Sequence, residues 1–170
     1  MKYVLVTGGC GFIGSNFVHD LIRSGDFTPI ILDKLTYAGS LSNLSGLKQS
    51  DYIFIEGDIC DEKFVYSVFE KYKFASVFHF AAEGHVDRSI DGPRDFINTN
   101  IFGTFNLLQA VRNNLMKMHD DFRFIHISTD EVYGDLSEGE YFIETTPYAP
   151  SSPYSASKAS SDHLVKAWGR

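Results

Sequence analysis

Hydrophobic residues along this chain follow two rhythms. Short unbroken apolar runs, closed by glycine or polar residues, occur at 3–7, 29–33, 52–58, 76–82 and 122–129. Between them, apolar residues recur at helical spacing: Ile13, Phe17 and Leu21 with Val18 and Ile22 beside them, then Val65, Val68, Phe69 and Tyr72. The first rhythm predicts strands buried on both faces and the second predicts helices. Ser24-Gly25 ends the first helix, and Leu41, Leu44 and Leu47 predict a helical turn or two within the polar connection 34–50. A long helix is predicted over about 95–118, with Phe96, Ile97, Ile101, Phe102, Phe105, Leu107, Leu108, Val111 and Leu115 among its apolar positions. That stripe is wider than one sheet face needs, which predicts a second buried side such as a subunit contact. After a Gly/Pro/Ser-rich loop at 134–152, a last helix starts near Pro153, with Ser151 or Ser152 as its cap. Strand and helix alternating in this way, with right-handed crossovers, predict an α/β fold built on a doubly wound parallel sheet.

The turn after the first strand reads TGGCGFIG, residues 7–14. It holds Gly9-x-Gly11-x-x-Gly14, and Gly8 stands in front of it. Such glycines make a tight turn, let backbone approach a pyrophosphate and let the helix pack closely, while the helix N-terminus offers free N–H groups. Asp33 closes the second strand, where a carboxylate can accept both ribose hydroxyls and would repel a 2'-phosphate, favouring NAD over NADP. The fold is therefore expected to be Rossmann-type. Asp58, after the third strand, either contacts the adenine amino group or caps the following helix. Ala81 and Ala82 are small enough for backbone to approach a cofactor.

Composition narrows the partners. The 170 residues carry 15 Lys+Arg against 22 Asp+Glu, a formal net charge of -7, which disfavours nucleic acid and anionic membrane as main partners. Backbone N–H groups still allow an anionic small molecule. No apolar stretch approaches bilayer-crossing length. Cys10, Cys60 and the six His lack metal-ligand spacing, so no metal is expected, and the thiols suit a reducing, cytoplasmic setting.

Two stretches carry candidate chemistry. In STDEVYG, Asp130 and Glu131 stand side by side after Thr129. Strand geometry would send neighbouring side chains to opposite faces, so the chain is expected to leave β geometry near Thr129 and turn at Gly134. Two carboxyl groups in one dry pocket would raise one pKa and keep an acid available at neutral pH. In SPYSASK, Tyr154 and Lys158 lie one helical turn apart. A nearby ammonium and a nicotinamide cation would lower the tyrosine from its ordinary value of about 10. His85 is a candidate for holding substrate, Thr99 reads as a helix-surface hydroxyl, and Asp87 with Arg88 as a local ion pair.

With TGGCGFIG, LDKLTYAG, HVDRS, STDEVYGD and YAPSSPYSASKASSDHLV in place, the whole chain resembles the extended short-chain dehydrogenase/reductases, and among them the dTDP-glucose 4,6-dehydratase family. The resemblance implies NAD as cofactor and dTDP-glucose as substrate. It implies Tyr154 deprotonating the sugar 4-hydroxyl with Lys158 in support, Glu131 removing the C5 proton, Asp130 protonating the departing 6-hydroxyl, and Thr129 bonding near O4. Cofactor contacts are implied for Gly8, Gly11, Phe12, Ile13, Gly14, Asp33, Lys34, Leu35, Thr36, Asp58, Ile59, Phe80, Ala81, Ala82 and Thr99, besides Tyr154 and Lys158. Substrate contacts are implied for Gly84, His85 and Thr129, and a homodimer through the helices near 95–118 and 153–168. Related nucleotide-sugar epimerases and decarboxylases share the glycine loop and Tyr-x-x-x-Lys but not the Asp-Glu pair.

Two departures stand out. Gly84 replaces the serine usual in that family, which should weaken one contact to cofactor and substrate. The enzymes resembled also continue well beyond VKAWGR, so 1–170 is expected to be the NAD-binding domain, with the last sheet strands and the nucleotide-sugar-binding part absent and catalysis by the domain alone in question.

Overall fold

The computed structural model describes residues 2–170. The chain gathers into two compact units, one running to Ala81 and including Asn106–Ile127, the other formed by Ala82–Phe105 and Ser128–Arg170.

The first unit holds a five-stranded sheet. Its strands are β1 (Lys2–Thr7), β2 (Phe27–Asp33), β3 (Ile53–Glu56), β4 (Phe74–His79) and β5 (Arg123–His126). Every pairing is parallel, in the order β3-β2-β1-β4-β5. The chain thus winds outward from β1 in both directions, as right-handed crossovers require. Alternation along β1 divides the core: Leu5 faces one side, Val4 and Val6 the other. On Leu5's side, Ile30, Leu32 and Val77 pack with Val65, Val68 and Phe69 of α2 (Glu62–Lys71) and with Leu107, Ala110 and Val111 of a later helix. On the other side, Ile31 and Val18 of α1 (Phe12–Ser24) pack with Cys10 and Leu44.

Register makes the strand ends level. Thr7 lies beside Leu32 and His79, and His79 beside His126. Three strands stop short of the expected 58, 82 and 129 because their last residues leave the ladder for other partners. The Asp58 carboxylate takes the Cys60 N–H at 2.9 Å. The Ala81 N–H goes to the Thr7 hydroxyl at 3.3 Å. Thr129 caps a new turn.

The second unit is helical: α3 (Val86–Asp91), α4 (Pro93–Phe96), a π-helical segment (Ile97–Gly103), a 3-10 turn (Asp130–Tyr133) and α6 (Pro153–Trp168), while α5 (Thr104–Asn114), which continues the π segment, belongs from Asn106 on to the first unit. The single helix expected over 95–118 is therefore α4, the π segment, α5 and a final 3-10 turn at Leu115–Lys117. Each π turn holds more residues than an α turn, so the apolar phase shifts along the helix, which is why the stripe reads as wide. Asn100 is buried in this segment. Its amide accepts from Glu83 N at 2.9 Å and donates to Glu83 O at 3.0 Å and Ser157 Oγ at 2.8 Å. α6 opens with Pro153 behind a reciprocal Ser152–Ser155 capping box. Among the described residues, no helix is long and apolar enough to cross a membrane, and no group of three or more His, Cys, Asp or Glu could hold a metal ion.

Candidate functional site

The first unit brings the glycine turn, Asp33 and Asp58 to the carboxyl edge of its sheet. Gly8 has φ +70°, and a Cβ there would stand 2.6 Å from Ala81 N, so this close strand-to-strand approach excludes a side chain. A Cβ on Gly14 would collide with the Gly8 carbonyl oxygen. Gly11 caps α1 without a side-chain hydrogen bond, and no acid occupies the first turn. The N-terminal N–H groups of α1 are thus open to an anion, with Phe12 and Ile13 exposed beside them.

Asp33 is buried and held at both oxygens. Cys10 N donates to Oδ2 and Leu35 N to Oδ1, each at 2.9 Å. Leu35 adopts φ +53°, the left-handed region, to make its bond. Cys10 is clamped from the other side as well, its carbonyl accepting from Asn43 Nδ2 at 2.8 Å and Ser40 N at 3.0 Å. Burial, reinforced by the Asp33 charge, pushes the Cys10 thiol up to about 12, leaving it an unreactive core group.

Asp58 is no helix cap, since Asp61 caps α2 by accepting from Phe64 N at 3.0 Å. Lys34 Nζ reaches Asp58 Oδ2 at 3.3 Å. Burial pushes the Asp58 carboxyl up, but the Cys60 N–H and the Lys34 ammonium together outweigh it and hold the group below its ordinary value. Ile59 is buried beside it, its carbonyl taking Asn106 Nδ2 at 3.0 Å. Thr7 also accompanies this edge, its hydroxyl 2.7 Å from His79 Nδ1.

The second unit gathers the other candidates. Thr129 is extended, and its hydroxyl accepts from Glu131 N at 3.2 Å. The chain then enters a 3-10 turn, so Asp130 and Glu131 project about 120° apart instead of to opposite faces. Gly134 closes the turn at φ +92°, packed against the Ala149 carbonyl. Both acids are exposed, so these residues alone do not form the expected dry pocket.

The Tyr154 phenol is hydrogen-bonded by Thr129 and faces the Phe96 ring edge-on at 6.2 Å. Its pKa is raised, chiefly by burial, with Glu131, Asp130 and Asp162 adding to it and Thr129 opposing. The expected lowering by the lysine is therefore absent, and Tyr154 rests as a phenol. Lys158 is 4% exposed. Burial draws its pKa down to about 8, and the Asp162 charge resists that fall. Thr99, implied as a cofactor contact, is buried in the π-helical segment, which sets aside the alternative of an ordinary surface hydroxyl. His85 is exposed and supplies the backbone N-cap of α3. A Cβ on Gly84 would meet nothing within 4 Å, so the absent serine reflects no lack of room.

The lysine carries a pH prediction. Its folded pKa of about 8 lies below the ordinary 10.5, so the burden of burying the cation is full below pH 8 and is relieved as pH rises to 10.5. Relative to Lys158→Met, the protein should gain about 3 kcal/mol of stability across that window. Urea unfolding of both proteins at stepped pH measures this, and a constant difference between them would refute it.

A doubly wound sheet with a glycine turn after β1, an acid closing β2 and Tyr154-x-x-x-Lys158 on a helix defines a Rossmann-like fold of the short-chain dehydrogenase/reductase class. The model of the GDP-mannose 4,6 dehydratase family matches residues 5–170, and the chain belongs to that family. It is 55% identical over 176 residues to the dTDP-glucose 4,6-dehydratase of Neisseria meningitidis serogroup B, covering 100% of this chain and 50% of that protein. It is 52% identical over 181 residues to dTDP-glucose 4,6-dehydratase 1 of Escherichia coli K12, covering 98% and 50%. The chain thus spans about half the length of these curated relatives. Among solved structures it is similar to DesIV, a dTDP-glucose 4,6-dehydratase from Streptomyces venezuelae crystallised with NAD, at TM-score 0.88 and 41% identity, over 99% of this chain and 52% of that one. A Thermus thermophilus UDP-glucose 4-epimerase in complex with NAD matches at TM-score 0.88 and 35% identity, over 99% and 51%.

Several contributing residues escaped the sequence reading. Asn100 reads there as a polar interruption in an apolar helix, and Thr7 as the last residue of a buried strand. Asp162 had a signal, since it repeats the spacing from Tyr154 to Lys158 one turn further along α6.

Proposed function

We propose that this chain serves the NAD-dependent dehydration of dTDP-glucose to dTDP-4-keto-6-deoxyglucose, a lyase reaction. The observation that carries the reading is the meeting of Thr129, Asp130 and Glu131, on one turn, with the Tyr154 phenol that Thr129 hydrogen-bonds and both acids influence. The first unit's open α1 N-terminus and Asp33 fit a pyrophosphate and a ribose diol, and Lys34, Leu35, Thr36, Asp58, Ile59, Phe80 and Ala81 complete that cradle. Ala82 and Thr99 are further cofactor contacts in this reading. NAD, when bound, supplies the oxidant for C4 and the hydride that C6 receives at the end.

Every other step belongs to side chains. Tyr154, a phenol at rest, must first be drawn to the phenolate, which the positive charge of bound nicotinamide beside the Lys158 cation would favour, and the phenolate then accepts the proton of the 4-hydroxyl. Thr129 donates a hydrogen bond near O4. The 4-keto group acidifies C5–H, Glu131 removes that proton, and Asp130 delivers one to the departing 6-hydroxyl, so that water leaves. Gly84 and His85 contact the substrate in this reading. The likeness to the dehydratases and the Asp-Glu pair support this reading over an epimerase.

The protein works as a homodimer through the helices near 95–118 and 153–168, a reading supported by Ile97 and Phe102, which stand 44% and 56% exposed. It works in the cytoplasm, which its two free cysteines suit. Residues 1–170 form the NAD-binding domain, and most nucleotide-sugar contacts come from a further part of the polypeptide. The test is direct: full-length protein with NAD and dTDP-glucose should release a 4-keto-6-deoxy nucleotide sugar, one water lighter by mass spectrometry. Unchanged substrate, or a C4 epimer of equal mass, would overturn the proposal.

A further inference from the structure

The second unit contains a carboxylate that the proposed chemistry leaves unused. Asp162 lies on α6 one turn beyond Lys158 and two beyond Tyr154, so the three share a helix face. Its Oδ2 accepts two hydroxyl hydrogen bonds, from Ser128 Oγ at 2.6 Å and from Tyr148 Oη at 3.0 Å. Ser128 immediately precedes Thr129, Asp130 and Glu131. Tyr148 belongs to the loop that returns from Gly134 to α6, and its ring packs between Tyr133 at 5.3 Å and His163 at 5.2 Å. One carboxylate therefore ties the acid-bearing turn and the return loop to the helix that carries the tyrosine and lysine.

We infer that Asp162 is a positioning residue for the proposed reaction: it fixes the Thr129–Glu131 turn against α6 through Ser128 and serves as the counter-ion that keeps Lys158 protonated. Short hydroxyl-to-carboxylate bonds are charge-assisted, and they hold the carboxylate in place without neutralising it. The charges of Asp130, Glu131 and Asp162 all bear on Tyr154, and Asp162 is the carboxylate whose charge bears on Lys158 as well. Tyr133 and His163 meet the assembly through the Tyr148 ring. The catalytic part of this inference rests on the dehydratase reading, whereas the Lys158 titration does not.

The experiment uses full-length protein with lysine labelled at 13Cε, the Lys158 signal assigned by Lys158→Arg. In the wild type the signal should titrate near pH 8. In Asp162→Asn, which keeps an acceptor for Ser128 and Tyr148 but loses the charge, the midpoint should fall by about one unit. At pH 8 the protonated fraction then drops roughly fivefold, and kcat should drop with it while KM for dTDP-glucose holds. Asp162→Glu, which retains the charge, should restore the midpoint. Should Asp162→Asn fail to fold, Asp162→Ser removes the same charge and is read the same way. An unmoved midpoint in a folded, charge-free variant overturns the inference, as does a lowered melting temperature with no change in titration. If the wild type makes no 4-keto sugar but the midpoint still falls, the functional reading fails and the counter-ion role stands.

Discussion

Glu131→Gln should slow formation of the 4-keto-6-deoxy sugar by about 10²–10⁴-fold, the usual worth of a positioned general base. Glutamine matches glutamate in size, and the bond that shapes the turn uses the backbone N–H of residue 131, donated to Thr129 Oγ1. The turn should therefore survive while the base is lost. In the proposed reaction oxidation at C4 draws on Tyr154 and Lys158, so reduced nicotinamide should still appear on mixing and then persist, because C6 would never become ready to take the hydride back. Rapid-mixing absorbance follows the first event and mass spectrometry the second. Product formation at the wild-type rate would remove the dehydratase reading and favour an epimerase, which has no need of the acid pair.

Gly14→Ala should lower NAD affinity about a hundredfold, equivalent to roughly 3 kcal/mol. The new methyl would meet backbone on every near side: the Gly8 carbonyl oxygen, with Gly8 C and Gly9 Cα at 3.0 Å. No flexible side chain is there to yield, so the N-terminus of α1 must tilt away from the turn. Overpacking of this kind costs about 1–3 kcal/mol of stability. It also moves the N–H groups that would face a pyrophosphate, so binding suffers more than folding. Calorimetric titration with NAD, beside denaturant unfolding, separates the two losses. A variant that unfolds earlier yet binds normally would show that the close contact serves packing alone.

The sheet was legible in the sequence because its strands are unbroken apolar runs, and a right-handed winding leaves little choice of order. The glycine turn was legible because its spacing is local. What escaped depends on distant partners. Asn100 earns its place through Glu83 and Ser157, the latter 57 positions away, and Asp162 through Ser128, 34 positions away. No window of helical periodicity contains such pairs. The Tyr154 pKa went the other way for a related reason: spacing shows that Lys158 is near, but not that burial and three carboxylates act on the phenol and outweigh the Thr129 hydrogen bond. The puzzle of two adjacent acids was legible only halfway. Departure from strand geometry was foreseeable from Thr129 to Gly134, whereas the Thr129 hydroxyl capping the turn was not.

The clamp on Asp33 bears on anyone who would re-engineer cofactor preference. The obvious single change, trading the carboxylate for a small neutral residue to admit a 2'-phosphate, would also release the Cys10 and Leu35 N–H groups. Leu35 would then keep a left-handed backbone, worth about 1–2 kcal/mol of strain, without the hydrogen bond that offsets it. Gly39 is shaped to the same carboxylate, since a Cβ on it would stand 2.9 Å from Asp33 Oδ1. Residues 33–39 therefore behave as one cassette, and a swap of preference should succeed by transplanting the whole segment where the point substitution loses both cofactors.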